Sequence, residues 1–81
     1  MSSKILIIGA CGQIGTELTT KLRDLYGVNN VIASDINTRN LELVNSGPFE
    51  IIDAKNFNAL RDCCKDNNVK TVYLMAALLS A

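Results

Sequence analysis

The chain has 81 residues, enough for one small domain, and its eight basic side chains balance eight acidic ones. Formal neutrality argues against a nucleic-acid or anionic-membrane surface, because both require clustered cations. A hydrophobic content of 48% with a single proline excludes a disordered tail. The sequence contains neither histidine nor tryptophan, which excludes a histidine-ligated metal and a serine–histidine triad within these residues. We therefore expect no metal, no nucleic-acid partner and no membrane partner.

The three cysteines, Cys11, Cys63 and Cys64, match no zinc or disulfide spacing. Neighbouring positions on a helix point about 100° apart, so Cys63 and Cys64 are poorly placed to bond each other. Cys11 is expected to be a small apolar filler, because no nearby cation would lower its pKa. No apolar run approaches the roughly 18 residues of a membrane span, and the run after Lys4 is too short for a signal peptide. These features predict a protein of the reducing cytoplasm.

The first apolar run, residues 5–8, is continuous rather than alternating. Such a run is typical of a parallel strand that is buried on both faces. A helical pattern follows it, opening near Gly12 and stopping at Gly27. Its apolar positions recur every three or four residues, and Glu17, Lys21 and Arg23 lie between them. The apolar positions are Ile14, Leu18, Leu22 and Leu25.

The rest of the chain repeats this alternation of strand and helix. The remaining expected elements are a strand at 31–33, a weak helix around 41–44, a strand at 49–52, a helix at 57–64 that Asn56 caps, and a strand at 69–77. The order βαβαβαβ predicts an α/β fold, a Rossmann-type doubly wound parallel sheet with helices on both faces. By analogy the sheet has about four strands in the order 3-2-1-4, incomplete at the edge of the fourth strand. No linker or charge block divides residues 1–81.

The turn between the first strand and the first helix reads GACGQIG, from Gly9 to Gly15. Gly9 permits the tight turn, Gly12 lets backbone approach a pyrophosphate, and Gly15 lets the helix pack closely on the sheet. The N–H groups of Gln13 and Ile14 would then point toward the phosphates, aided by the positive end of the helix. A glycine turn alone can be an ordinary connection between a strand and a helix. Its place between a buried strand and an amphipathic helix favours a dinucleotide site.

Asp35 ends the second strand, 20 residues after Gly15, where the ribose-binding acid of a dinucleotide site belongs. A carboxylate that accepts from the ribose hydroxyls repels a 2′-phosphate, so NAD is favoured over NADP as the cofactor. Arg39 lies four residues further on and could reach back, which leaves this choice partly open. The alternative role of Asp35 is to cap a helix.

Two later segments fit the same cofactor. Asp53 and Ala54 follow the third strand, where the carboxylate would accept from the exocyclic amine of adenine; capping the next helix is an equal alternative. Leu74, Ala76 and Ala77 leave the fourth strand with mostly small side chains, as the backbone beside a nicotinamide ribose requires. A buried strand end explains that composition almost as well.

Three segments together resemble the N-terminal part of the extended short-chain dehydrogenases/reductases, which are related to nucleotide-sugar epimerases. They are the turn GACGQIG, residues 33–36 and residues 74–81. Within that superfamily, residues 75–81 and 45–50 are most similar to the NAD-dependent L-threonine 3-dehydrogenases. The resemblance covers essentially the whole chain. It implies threonine catabolism, in which the threonine 3-hydroxyl is oxidised to give 2-amino-3-ketobutyrate while hydride passes to NAD.

The resemblance also implies a role for each matching position, an amino-acid substrate and a homodimer of the full-length protein. The pyrophosphate would be contacted by Gly9, Gly12, Gln13 and Ile14, and the adenosine ribose by Asp35. Adenine would be contacted by Asp53 and Ala54. The path to the nicotinamide ribose would be lined by Leu74, Ala76 and Ala77, and Ser80 would lie near nicotinamide and substrate.

The catalytic pair of that family is Tyr-x-x-x-Lys, in which the lysine lowers the pKa of the tyrosine. Here Tyr26 is followed four residues later by Asn30, and Tyr73 by Ala77. We therefore expect residues 1–81 to be the N-terminal part of a dinucleotide-binding domain, inactive alone, without the catalytic half or the substrate lobe. Two alternatives stay open: a nucleotide-sugar epimerase or dehydratase with the same cofactor half, and a stand-alone, non-catalytic nucleotide-binding module.

Overall fold

The computed structural model describes residues 3–75, which form a parallel β-sheet with helices on both faces. Its strands and helices in chain order are β1 (Lys4–Ile8), α1 (Gln13–Tyr26), β2 (Val31–Asp35), α2 (Leu41–Asn45), β3 (Phe49–Ile51), α3 (Phe57–Asp66) and β4 (Val69–Leu74). A short 3₁₀ turn, Val28–Asn30, precedes β2 and was not expected from the sequence. In the described part of the chain the strand order is β3-β2-β1-β4 and every pairing is parallel. The predicted fold and strand order are confirmed.

Strand β1 is central, with β2 on one side and β4 on the other. Leu6 and Ile7 are both fully buried, although successive side chains of a strand point to opposite faces. Ile7 belongs to an apolar cluster with Leu22 of α1 and Leu43 of α2. Leu6 belongs to a second cluster that includes Cys63 of α3. The continuous apolar run of β1 therefore reflects burial against helices on both faces, as predicted.

Helix α1 begins after Gly12 and ends before Gly27, as predicted. Its buried face includes the middle of the predicted stripe, Leu18 and Leu22, but not the two ends. Ile14 and Leu25, at the two ends of that stripe, are 67% and 61% exposed. The buried positions are Gly15, Thr19, Leu22 and Arg23. The polar ones are accommodated because they find acceptors: the Thr19 hydroxyl, for example, donates to the Gly15 carbonyl at 2.7 Å.

Asparagine side chains cap the two later helices. Asn40 accepts from the N–H of Leu43 at the start of α2, and Asn56 accepts from the N–H of Ala59 in α3. The cap at Asn56 was predicted. No helix in residues 3–75 is both long enough and apolar enough to cross a membrane. Strand β3 ends one residue earlier than predicted. The predicted continuation of the fourth strand beyond residue 75 lies outside the described residues.

Candidate functional site

A cleft of about 420 Å³ opens at the carboxyl ends of the strands. Strands β2 and β3 lie on one side of β1 in the sheet, and the chain then crosses to place β4 on the other side of β1. Ligands of open α/β sheets bind outside the carboxyl ends of strands at such a reversal. The cleft is lined by Gly9, Cys11, Gly12, Asp35, Asn37, Arg39 and Met75.

Two glycines of the turn are required by the protein's own backbone. Gly9 has a φ of 86°, a left-handed conformation that side chains other than glycine rarely adopt. A Cβ on Gly15 would overlap the Gly9 carbonyl oxygen and lie 2.9 Å from the Cα of Ala10. The start of α1 therefore packs directly on the turn.

Gly12 differs from both, because nothing in the described part of the chain requires glycine there. Its φ of −70° and ψ of 170° suit any residue. A Cβ on Gly12 would approach nothing closer than the Gly9 carbonyl oxygen at 3.8 Å, which is an ordinary contact. The missing side chain leaves room in the cleft rather than in the core. A diphosphate lying against this turn needs that room.

The amino end of α1 is open toward solvent. Gly12 supplies no side-chain cap, and the first N–H groups of any helix have no acceptor within the helix. Gln13 and Ile14, the first two helical residues, are both exposed. Donors at the positive end of a helix favour an anion, so this end suits a phosphate group. The exposure of Ile14 follows from its position in this open turn.

Asp35 ties the end of β2 to the glycine turn. One of its carboxylate oxygens, Oδ2, accepts from the N–H of Cys11 at 2.9 Å, and the other, Oδ1, accepts from the N–H of Asn37 at 3.0 Å. The carboxylate therefore stands at the wall of the cleft, as a ribose-binding group requires. The alternative role as a helix cap is wrong, because α2 begins at Leu41 and is capped by Asn40.

A second set of hydrogen bonds supports the turn from outside the cleft. The Thr16 hydroxyl donates to the Ala10 carbonyl at 3.0 Å and accepts from the side-chain amide of Asn40 at 3.1 Å. The cap of α2 is thereby joined to the glycine turn through α1. Sequence reasoning missed Thr16 and Asn40, because isolated polar residues carry no periodic signal.

Three of the remaining predicted positions, Asp53, Ala54 and Leu74, do not line this cleft. Asp53 accepts from the N–H of Lys55 at 2.9 Å in the turn before α3, and Ala54 packs against the apolar cluster under α3. Neither lines the cleft. Leu74 pairs with Ile8 at the end of β4 and is 50% exposed. The predicted contacts of Asp53, Ala54 and Leu74 stay predictions. The other three predicted positions, Ala76, Ala77 and Ser80, lie outside the described residues.

Cys11 lies in the wall of the cleft and also contacts the apolar cluster under α1. Burial, and secondly the negative charge of Asp35, raise the pKa of the Cys11 thiol above its ordinary value. A thiol with a raised pKa is a poor nucleophile at neutral pH, because the thiolate is the reactive form. The thiol therefore fits the predicted role of filler.

Alkylation of Cys11 by iodoacetamide is expected to be slower than that of free cysteine at pH 7, because the raised pKa leaves less of the thiol ionised. Its rate should rise as the pH approaches the raised pKa, and saturating NAD should slow it further by covering the cleft. Mass spectrometry of the Cys11 peptide measures this rate, and Cys64 on α3 serves as a control that NAD leaves unchanged. Bound NAD that leaves the Cys11 rate unchanged would contradict the placement of the cofactor in this cleft.

The fold and the glycine turn define a Rossmann-type α/β unit, the class that carries nucleotide sites at the carboxyl ends of its strands. The profile of the NAD dependent epimerase/dehydratase family matches residues 5–81, so the chain belongs to that family. It is 47% identical over 79 residues to an uncharacterised epimerase/dehydratase of Staphylococcus haemolyticus. It is 46% identical over 79 residues to one of Staphylococcus aureus, and each match covers 96% of this chain and 25% of the relative.

Similar solved structures include L-threonine dehydrogenases. The enzyme from Clostridium difficile matches with a TM-score of 0.88 at 48% identity, over 98% of this chain and 25% of that one. The holo form of an L-threonine dehydrogenase from Cupriavidus necator matches with a TM-score of 0.81 at 39% identity. This match covers 95% of the present chain and 24% of that enzyme. The predicted resemblance to the NAD-dependent epimerase/dehydratase superfamily, and within it to L-threonine dehydrogenases, is confirmed. The chain spans about a quarter of the length of the relatives it matches.

Proposed function

We propose that this chain is the NAD-binding part of an NAD-dependent oxidoreductase, an L-threonine 3-dehydrogenase that converts L-threonine to 2-amino-3-ketobutyrate. The observation that carries the proposal is Gly12, which leaves space beside the Asp35 carboxylate and the open end of α1 that the fold itself does not need. The similar structures of L-threonine dehydrogenases support threonine as the substrate. The proposal includes a cytoplasmic, homodimeric full-length protein.

NAD, when bound, supplies the acceptor for the hydride from the threonine C3 position. The N–H groups of Gln13 and Ile14 donate to the diphosphate, and Gly12 keeps the approach clear. Each Asp35 oxygen already accepts one backbone N–H and has a lone pair left for a ribose hydroxyl. The backbone donors also hold the carboxylate in position before the cofactor arrives. The other proposed contacts are those of Asp53 and Ala54 with adenine, Leu74, Ala76 and Ala77 with the nicotinamide ribose, and Ser80 with the substrate.

A nucleotide-sugar epimerase or dehydratase is the second candidate. It is favoured by the staphylococcal relatives, which are described as uncharacterised epimerases/dehydratases. Both candidates use the same cofactor half, so the glycine turn does not separate them. A substrate screen on the full-length protein does. Threonine-dependent formation of NADH supports the dehydrogenase, whereas conversion of nucleotide sugars without net NADH supports the second candidate.

Replacing Asp35 with asparagine is expected to weaken NAD binding by at least about tenfold, because hydrogen bonds to a charged acceptor contribute about 1.5–3 kcal/mol. The amide also presents an NH₂ group where a backbone N–H now donates. The difference in affinity between NAD and NADP should become smaller, since the charge that repels the 2′-phosphate of NADP is gone. Titration of the 81-residue chain with NAD and NADP measures both effects.

The matched control is Asp62→Asn on α3, where the carboxylate is exposed and pairs with Arg61. This variant should bind both dinucleotides as the unchanged chain does. Equal affinities of the Asp35 variant and the unchanged chain for both cofactors would mean that Asp35 does not bind the ribose.

A further inference from the structure

The hydroxyl of Thr16 makes a contact that the other threonines of α1 do not make. Thr19 and Thr20 each donate to the carbonyl four residues back in the helix, at 2.7 and 3.0 Å. This is a common local hydrogen bond of a helical threonine. Thr16 instead donates to the carbonyl of Ala10, six residues back in the glycine turn, at 3.0 Å. Thr16 therefore ties the helix to the turn rather than to itself.

Asn40 determines which way the Thr16 hydroxyl points. The side-chain oxygen of Asn40 accepts from the N–H of Leu43 at 3.1 Å, so its NH₂ group is the side that faces Thr16. That group donates to the Thr16 oxygen at 3.1 Å. A hydroxyl has one proton, and an amide NH₂ group cannot accept it. The Thr16 proton is therefore directed away from Asn40 and toward the Ala10 carbonyl.

The carbonyl that Thr16 contacts belongs to a peptide unit that also reaches the cleft. In the Ala10–Cys11 unit the carbonyl accepts from Thr16, and the N–H donates to Oδ2 of Asp35 at 2.9 Å. A peptide unit is planar, so holding its carbonyl also fixes the direction of its N–H. Ala10 is fully buried, so its carbonyl needs a hydrogen-bond partner. Thr16 therefore sets the direction of the N–H that holds the Asp35 carboxylate.

We propose that Thr16, oriented by Asn40, is a positioning residue for dinucleotide binding, which acts through the Ala10–Cys11 peptide on the glycine turn and the Asp35 carboxylate. This inference rests on the proposed NAD site. Asp35 and Asn40 lie at the two ends of the segment that joins β2 to α2. Asp35 contacts the Ala10–Cys11 peptide directly, and Asn40 contacts it through Thr16. The segment and the turn are therefore held in one arrangement before a ligand arrives, and a site that is already ordered loses less entropy on binding.

The first measurement is the affinity of the full 81-residue chain for NAD. Thr16→Val removes the hydroxyl and keeps the shape of the side chain, and NAD should then bind about fivefold more weakly. Thr16→Ser restores a hydroxyl and should return the affinity close to that of the unchanged chain. The matched control is Thr20→Val, one turn further along α1. It removes a hydroxyl that donates within the helix and should leave the NAD affinity unchanged.

The second measurement needs no NAD. Amide hydrogen exchange, followed by NMR, reports how firmly the Cys11 N–H is held by Asp35. Exchange at Cys11 should be about fivefold faster in the Thr16→Val chain. It should rise by a smaller factor in the Asn40→Ser chain, because serine still caps α2 but is too short to reach Thr16. In both chains the increase at Cys11 should exceed that at Leu22 inside α1, which separates an effect on the turn from a general loss of stability.

Unchanged NAD affinity in a folded Thr16→Val chain would overturn the inference, as would an equal loss of affinity in the Thr16→Val and Thr16→Ser chains. An equal rise in exchange at Cys11 and Leu22 would also overturn it, because Thr16 would then support the fold as a whole. Circular dichroism establishes that each variant is folded. An unchanged chain that binds no NAD would instead overturn the proposed function, and this inference with it. The two failures are thereby distinguished by whether the unchanged chain binds NAD.

Discussion

A chain carrying Gly12→Val should fold normally and lose NAD binding by at least about a hundredfold. The fold tolerates the change because the backbone at Gly12 suits any residue and a Cβ there meets no atom closer than 3.8 Å. The branched side chain instead enters the space proposed for the diphosphate and separates it from the first N–H groups of α1. Losing two charge-assisted hydrogen bonds of about 1.5–3 kcal/mol each accounts for an effect of this size. Titration with NAD, alongside thermal unfolding followed by circular dichroism, measures both quantities.

Gly15→Ala is the matched contrast within the same turn. It adds only one methyl group, but the new Cβ overlaps the Gly9 carbonyl oxygen and the backbone of Ala10, neither of which can rotate away. The free energy of unfolding should fall by about 3 kcal/mol, as in other overpacked sites. One glycine thus serves binding and the other serves folding. A Gly12→Val chain that unfolds, or that binds NAD as before, would contradict this division.

The strands and the glycine turn were predictable because they depend on features close together in sequence, whereas the strand order followed from analogy with other doubly wound sheets. A continuous aliphatic run followed by a glycine specifies a buried strand and its tight exit, wherever the rest of the chain lies. The position of Asp35 followed in the same way, since each strand of a parallel sheet ends at the same edge. The cap at Asn56 required only its local spacing from α3.

The buried face of α1 was predictable only at Leu18 and Leu22, because the rest of it depends on partners distant in sequence. A stripe of Ile14, Leu18, Leu22 and Leu25 looks like the core-facing side when hydrophobicity alone is counted. The structure exposes Ile14 at the open end of the helix and buries Arg23. The contacts of Arg39 with Asn37 and of Asn40 with Thr16 were missed for the same reason. They follow from the path of the loop after β2 rather than from a periodic pattern of apolar residues.

Arg23 is the most unusual buried side chain in the described residues, being a cation that is only 6% exposed. Its Nε and Nη2 donate to the Val31 carbonyl at 3.2 and 3.1 Å, and Nη2 also donates to the Pro48 carbonyl at 2.7 Å. Nη1 donates to the Ser46 hydroxyl at 2.9 Å. A Cβ on Gly47 would lie 2.8 Å from the Arg23 Cζ, so this glycine makes room for the guanidinium. Desolvation lowers the pKa of Arg23, but a guanidinium remains charged at any physiological pH.

Arg23→Met is therefore expected to lower the free energy of unfolding by about 3 kcal/mol, a large part of the stability of so small a domain. Replacing a buried ion pair with apolar residues is often harmless, because both charges leave together. Here the partners are carbonyls of Val31 and Pro48, which stay behind without this donor when the guanidinium is removed. Arg23→Lys should recover only part of the loss, since an ammonium cannot reproduce the planar fork that joins β2 to the segment before β3. Urea unfolding measures the free energy of each variant. The control is Arg61→Met, a change at an exposed position that should alter the free energy of unfolding by no more than about 0.5 kcal/mol. A loss below about 1 kcal/mol for Arg23→Met would show that the Val31 and Pro48 carbonyls find other donors.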